Sequence, residues 1–357
     1  MVAGAGPAGS ACAITAARAG ARVLLLEKDR LPRHKVCGEF VSPESLRLLN
    51  TLLEPLEQNP LAATLKIDSA RIFLDHKAIS FPVSPAAQSI PRFDLDAALL
   101  QAARRAGVHA EEGVTIRQVN GGEAAQDGLF AVQAAGKTLA AKAVVNATGR
   151  WSQLTQYPTV GKTKWIGLKA HYTESAPPRS VDLYFFPGGY CGVQPVRKDA
   201  VNAAAMVRAD AARSLEEVFV AHPELWRRSR DWQPLVSAIT TSPLYFRAPE
   251  TEDRGMILAG DAAGFIDPFA GDGISLALHS GTLAAESLTC FLRSECSLAE
   301  SCHRYRDAYL KRFAPAFRNA ARLRRVLSAP TWVRSGLLGV AGTAFVAGRI
   351  VRGTRAR

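Results

Sequence analysis

No stretch of about 20 uninterrupted apolar residues occurs in the chain, so no membrane-spanning helix is predicted. The chain also lacks the basic-then-apolar opening of a secretory signal; it starts on a glycine-rich turn instead, and no signal peptide is expected. Cysteine is sparse. Cys12, Cys37, Cys191, Cys290, Cys296 and Cys302 are dispersed and form no C-x-x-C pair, which argues against a disulfide framework and for a reduced, cytoplasmic setting. No paired-ligand spacing points to zinc or any other metal. Acid is almost missing from the C-terminal end: His303 to Arg357 carries 13 lysines and arginines against the single acid Asp307. That segment alone accounts for the net charge of +12, and the first 302 residues are neutral overall. The basicity belongs to a tail, and a nucleic-acid-binding fold is not expected.

At 357 residues, 48% hydrophobic and 21% charged, the chain can bury a large core, and its length suggests roughly two domains. Gly4-Ala5-Gly6-Pro7-Ala8-Gly9 fits G-x-G-x-x-G and runs into the small helix formers Ser10 to Ala19. Ala21 to Glu27 follows as an apolar strand ending in an acid, and Glu27 lies 18 residues beyond Gly9. Glycine turn, helix, strand and acid in that order make a dinucleotide-binding βαβ unit, with phosphates at the helix start and Glu27 on a ribose. Only Met1-Val2-Ala3 precedes the turn, whereas a central first strand of about five residues is expected, so the natural start is expected to lie upstream.

Met256 to Ser275 is the second chemical landmark. An apolar strand, Met256 to Leu258, ends at Gly260-Asp261; a Pro268 loop follows, then a helix opening on Gly271-Asp272-Gly273-Ile274. Glycines at a helix start let a ligand approach the backbone, and the free N–H groups there favour negative charge, while Asp261 can accept hydrogen bonds from sugar or ribityl hydroxyls.

Together these stretches, with Lys35-x-Cys37-Gly38-x-x-x-Ser42-Pro43, resemble the FAD-dependent oxidoreductases related to geranylgeranyl reductases, flavin halogenases and aromatic hydroxylases of the p-hydroxybenzoate hydroxylase type. The resemblance covers residues 1 to about 290 and is weaker in the middle. It implies FAD, with Gly4 to Gly9, Glu27 and Lys28 at the adenosine diphosphate end and backbone groups at Val114 on the adenine. Arg92 would reach the cofactor; the alternative is a salt bridge to Asp94 or Asp96. Thr148-Gly149 resembles an A-[TS]-G turn, and its departure from the hydroxylases' Asp-Gly weakens a simple hydroxylase assignment. Gly260, Asp261, Pro268 and Gly271 to Ile274 would hold the ribityl chain and ring. Cys37-Gly38 would lie beside the flavin in the reductase branch, against the alternative of a small buried hydrophobe.

The expected fold is α/β, with a Rossmann-like FAD-binding domain (1–60, 90–152 and 250–295), an inserted, mostly antiparallel substrate sheet (61–89 and 153–249) and a helical basic tail (296–357). Tyr190-Cys-Gly-Val-Gln194-Pro195 corresponds to the prenyl reductases' Tyr-x-Trp-x-Phe-Pro, with glycine for tryptophan and glutamine for phenylalanine. Losing two aromatic walls implies a wider, more polar cavity, in which Tyr190 and His171 are candidate residues. Arg227, Arg228 and Arg230 read as a solvated face, and Cys290, Cys296 and Cys302 as core or neutral. The apolar run from Gly336 to Gly348, followed by arginines, is too short to span a bilayer and fits either peripheral contact with an anionic membrane or packing on the FAD domain.

The expected activity is reduction of a C=C bond in a lipophilic or polycyclic small molecule, with NAD(P)H or a ferredoxin-like donor as transient reductant. The alternatives are a flavin monooxygenase that hydroxylates or epoxidises and, from another class, a membrane-associated flavin-binding scaffold.

Overall fold

A computed structural model describes residues 1–327 apart from positions 55, 58, 60, 61, 63, 75, 76, 122–127, 151–153 and 156–163. The apolar run 336–348 and its arginines lie outside the described residues, as do Trp151 and Ser152.

The first half is built on a six-stranded sheet in the order Glu252–Asp253, Met256–Leu258, Val145–Asn146, Val2–Ala3, Leu24–Glu27 and His109–Glu112. Every pair is parallel except the antiparallel edge strand Glu252–Asp253. The two sequence landmarks therefore converge: the chain leaves the same end of this sheet at Gly4, after Glu27, after Asn146 and after Leu258. In parallel sheets the ligand crevice lies beyond the carboxyl ends of the strands. A three-stranded antiparallel ribbon, Ile116–Gly121, Phe130–Ala134 and Lys137–Ala141, stands beside it.

Helices α1 (Pro7–Arg18), α2 (Pro43–Leu53) and α3 (Arg92–Arg105) belong to this half. So does α6 (Gly273–Leu292), which crosses α1 at contact distance, because a Cβ on Gly281 would stand 2.0 Å from the Ala8 carbonyl oxygen. The long α7 (Leu298–Leu327) is basic, yet Tyr305, Tyr309 and Phe313 recur every four residues and are fully buried in the same core. The Tyr305 hydroxyl donates to the Leu258 carbonyl at 2.7 Å, tying α7 to the sheet.

The second half is an eight-stranded sheet ordered Ile239–Leu244, Trp165–Thr173, Ala200–Arg208, Gly189–Arg197, Ser180–Phe186, Leu65–Leu74, Lys77–Ser89 and Phe40–Val41. It is antiparallel except between Ser180–Phe186 and Leu65–Leu74. Alternation assigns its faces. Ile166, Leu168, Ala170, Tyr172, Val201, Ala203 and Ala205 pack on the short helices α4 (Leu215–Val220) and α5 (Pro223–Ser229). The intervening residues look towards the half built on the six-stranded sheet.

Two sequence expectations are corrected here. Arg228 does not sit on a solvated face: its guanidinium donates to Asp182 at 2.5 Å and Glu174 at 3.1 Å, because the fully buried Asp182 carboxylate needs cations, which Arg71 and Arg228 supply. Cys290 and Cys296 are joined by a disulfide across the α6–α7 turn. Cys290 lies in the last turn of α6 and Cys296 in the turn before α7, which brings the two sulfurs together.

Candidate functional site

At the first turn Gly4 has φ +95° and its N–H is held by the Leu26 carbonyl at 2.7 Å. Gly9 has no room for a side chain, since a Cβ would lie 1.8 Å from the Gly4 carbonyl oxygen. Gly6 caps α1 and is open apart from the Arg92 guanidinium, 3.8 Å from where its Cβ would be. Pro7 at the first helical position offers no N–H, so Ala8 and Gly9 present the free donors of the first turn. This is a cradle for a diphosphate, and its glycines fit that group sterically.

Glu27 is buried at the end of its strand, with Oε2 accepting from Ala5 N–H at 2.7 Å and Arg33 Nη2 at 3.4 Å, Oε1 accepting from Asp29 N–H at 3.0 Å, and the Arg33 guanidinium ion-paired to it at 3.2 Å. A carboxylate has about four acceptor positions, which leaves capacity for ribose hydroxyls. Lys28 beside it is exposed. Val114 donates its N–H to the Glu27 carbonyl at 2.9 Å, which fixes its backbone at the same sheet end.

On the opposite side of the crevice, Asn146 Oδ1 accepts from the Thr148 hydroxyl at 2.7 Å and Thr148 N–H at 3.2 Å, shaping the turn into Gly149, φ +82°. Gly260 is held by the Ser280 hydroxyl at 2.9 Å, which leaves the Asp261 carboxylate partly exposed, 3.7 Å from Arg150. Pro268 begins a short 3-10 turn ending at Gly271, φ +73°, against Phe40. Asp272 and Ile274 are buried, whereas a Cβ on Gly273 would meet nothing within 4 Å. The start of α6 is therefore open to a ligand.

Cys37-Gly38-Glu39 connects the two halves. Arg92 forms the bidentate salt bridge to Asp96 at 2.7 and 2.8 Å, and the same guanidinium lies beside Gly6. The ion pair to Asp96 is the alternative that the sequence offered for Arg92. Glu39 adopts φ +61°, a left-handed conformation that a non-glycine residue takes only at a cost. Its fully buried carboxylate is bonded by Lys169 Nζ, by His171 Nε2 at 2.8 Å and by Arg92 N–H at 2.9 Å. Burial pushes its pKa up, but the His171 bond and the Lys169 charge outweigh this and leave it below the ordinary value. The Glu39 N–H points at Cys37 Sγ, 3.3 Å away, and Asn202 donates to the Cys37 and Gly38 carbonyls at 3.1 and 3.0 Å. His34 stands edge-on to His171 with ring centroids 5.6 Å apart.

The structure thus brings Cys37, Gly38 and His171 together, with His171 bonded to Glu39 and still on the inner face of the sheet. Tyr190 stands further along that face, its hydroxyl 3.4 Å from Asp267 Oδ1. Burial raises the Asp267 carboxyl to about 7, against the Phe269 N–H, Arg324 and Tyr190. Because the folded pKa lies above the unfolded one, the stability this group confers is complete below the ordinary carboxylate range and lost as pH rises through about 7. Asp267→Asn keeps the acceptor for Phe269 but cannot ionise. It is expected to flatten that decline and to exceed the parent in stability at about pH 8, as read from urea unfolding at several pH values.

Glu39, Lys169, Asn202, Asp267 and Arg324 escaped the sequence reading. The one available signal was Lys169 inside the otherwise apolar run Trp165 to Tyr172: a lysine there requires a buried counter-charge.

The family model describing an FAD binding domain matches residues 1–314. The chain is 28% identical over 352 residues to digeranylgeranylglycerophospholipid reductase 2 of Methanopyrus kandleri, covering 92% of this chain and 86% of that one. It is also 28% identical over 350 residues to a flavin-dependent halogenase of Armillaria mellea, covering 85% of this chain and 66% of that one. Among solved structures, the flavin-dependent brominase Bmp2 shares the fold with a TM-score of 0.79 at 21% identity, covering 99% of this chain and 92% of that one. With glycine cradle, buried acid and open helix start all at one sheet end, the chain belongs to the FAD binding domain family and is an FAD-dependent oxidoreductase.

Proposed function

We propose that the protein reduces a C=C bond of a lipophilic or polycyclic small molecule, taking electrons from NAD(P)H or a ferredoxin-like donor. The observation that carries this reading is the line from Gly6 through Arg92 to Glu39, next to Cys37-Gly38, and on to Lys169 and His171 of the eight-stranded sheet. It sets the phosphate cradle and the substrate sheet on either side of the Cys37 loop. Bound FAD, when reduced, supplies a hydride. Gly4 to Gly9 would hold its diphosphate, Glu27 and Lys28 the adenosine side with Val114, Thr148-Gly149 and Gly260-Asp261 the middle, and Pro268 to Ile274 the ring. Arg92 would stand by the diphosphate, with its charge partly engaged by Asp96. Cys37, His171 and Tyr190 would face the substrate, with the Glu39 carboxylate holding the His171 ring in place. The similarity to a reductase named for a prenylated lipid supports this branch.

Oxygen insertion is the second reading. It is favoured by Gly192 and Gln194 standing where the prenyl reductases carry aromatic walls, and by the similarity to a halogenase. Incubating the reduced holoprotein with a polyunsaturated prenyl alcohol under strict anaerobiosis separates the two. A product heavier by two hydrogens without oxygen is the expected result. A strict need for oxygen, with an oxygen atom in the product, would replace it with the second reading; flavin that no nicotinamide or ferredoxin-like donor reduces would point to a scaffold.

A further inference from the structure

The turn between α6 and α7 carries chemistry that the proposed reaction does not use. α6 ends where Ser294 adopts φ +61° and turns the chain back, its N–H on the Phe291 carbonyl at 2.9 Å and the Glu295 N–H on the Cys290 carbonyl at 2.8 Å. α7 starts on a capping box: the Ser297 hydroxyl accepts from the Glu300 N–H at 3.1 Å, and the Glu300 carboxylate accepts from the Ser297 N–H at 2.8 Å. These two local devices set Cys290 and Cys296 with Cα atoms 5.6 Å apart, within disulfide reach, and the two are linked.

The linked sulfurs differ from the buried thiols in exposure and in what surrounds them. Cys12, Cys191 and Cys302 are buried free thiols, and burial pushes the first two up to about 12. Cys290 and Cys296 are half-buried, open enough for a small thiol to reach. The Arg304 guanidinium of α7 donates to Cys290 Sγ at 3.2 Å, and the fully buried Ser301 hydroxyl lies 3.5 Å from Cys290 Sγ and 3.3 Å from Cys296 Sγ. A cation and a hydroxyl at contact are what a departing thiolate needs. Acting the other way are the Ser287 carbonyl, 3.6 Å from Cys290 Sγ, the C-terminal end of α6, and the exposed acids Glu286 and Glu295. Glu300 is already engaged by Ser297. The Arg304 contact prevails at Cys290, because a hydrogen bond from a charged donor is stronger than a helix end felt through solvent.

We propose that Cys290 and Cys296 form a reversible thiol–disulfide site, in which an external thiolate attacks Cys296 and Cys290 leaves as the thiolate under Arg304. The S–S bond breaks as the bond from the incoming sulfur to Cys296 forms. A second thiolate then attacks the incoming sulfur of this mixed disulfide, releasing Cys296 and a small-molecule disulfide, and two solvent protons complete the dithiol. The two electrons come from the two small thiols, and a small disulfide such as oxidised glutathione returns the pair to the linked state by the reverse route. The site stands at the opposite end of α6 from Gly273, about 30 Å away along a 20-residue helix, so it is read without turnover and independently of the proposed reaction.

The test equilibrates the FAD-loaded full chain in glutathione buffers of graded oxidised fraction, traps thiols with N-ethylmaleimide and reads the peptides by mass spectrometry. Cys290 and Cys296 are expected to pass together from doubly alkylated to linked across the series, with Cys12, Cys191 and Cys302 unlabelled until the chain is unfolded, and with trapped mixed disulfide on Cys296. Arg304→Gln should slow opening by dithiothreitol at about pH 7 by at least about threefold, and Arg304→Lys should restore most of the rate. Cysteines 290 and 296 that stay alkylated in fully oxidised glutathione, a link that dithiothreitol opens only after unfolding, glutathione trapped on Cys290, or Arg304→Gln opening at the parental rate would each overturn the proposal.

Discussion

Lys169→Met is expected to cost about 3–5 kcal/mol of folding stability, the range found when one partner is removed from a buried ion pair. Both partners are inside the protein, with Lys169 1% and Glu39 0% exposed at the side chain. Methionine fills the volume, so the loss reports charge and not a cavity. Glu39 then keeps the His171 and Arg92 bonds but faces its burial without the ammonium, and its pKa should rise. The parent's own pH response follows from the lowered Glu39 pKa: that stability is present above the ordinary carboxylate range and is lost below it, as pH falls through the lowered folded pKa. Combining Lys169→Met with Glu39→Gln removes both charges and should recover much of the loss, since a buried pair is worth little against a well-packed neutral one. Urea unfolding of the parent, the single and the double variants checks this, provided the slope is unchanged. A single variant within about 1 kcal/mol of the parent would show that the pair does not hold the Cys37 loop to the sheet.

What the sequence revealed and what it hid differ in range. The cradle was legible because its demands are local. Gly4 must turn with positive φ and Gly9 must leave room for the Gly4 carbonyl, and both constraints are written within six residues. The strands around Tyr184 and Tyr190 fall inside the antiparallel sheet expected over 153–249. The hub was not legible, because Glu39 and Lys169 are 130 residues apart and only the antiparallel sheet brings them together. Asn202 sits in an alanine-rich strand, where nothing local says that its amide will meet the Cys37 and Gly38 carbonyls. Arg228 looked solvated because it lies in a run of arginines, and its partner Asp182 is 46 residues away. In α7 the charge dominated the pattern, although Tyr305, Tyr309 and Phe313 already stood at helical spacing.

Two glycines that look alike in sequence should fail in opposite ways. Gly9→Ala is expected to cost more than about 3 kcal/mol, beyond ordinary overpacking, because the new methyl meets backbone on a turn that cannot yield. The Gly4 carbonyl it would strike, at 1.8 Å, belongs to a residue pinned through its N–H to Leu26, and Ala147 closes the other side at 3.3 Å. Little FAD-loaded protein should be recovered. Gly273→Ala, at the start of α6, meets nothing within 4 Å and sits at a helical position where alanine is preferred. It should leave the fold intact or raise its stability by about 0.4–1 kcal/mol, by limiting the unfolded chain. If the flavin ring lies against that turn, the same methyl occupies ligand space, and FAD affinity should fall at least tenfold although the protein itself is sound. Thermal unfolding of the flavin-free protein and calorimetric FAD titration separate the two effects. Unchanged FAD affinity in Gly273→Ala would move the ring away from α6, whereas weakened affinity in a stable protein would show that this glycine is kept for the ligand and not for the helix.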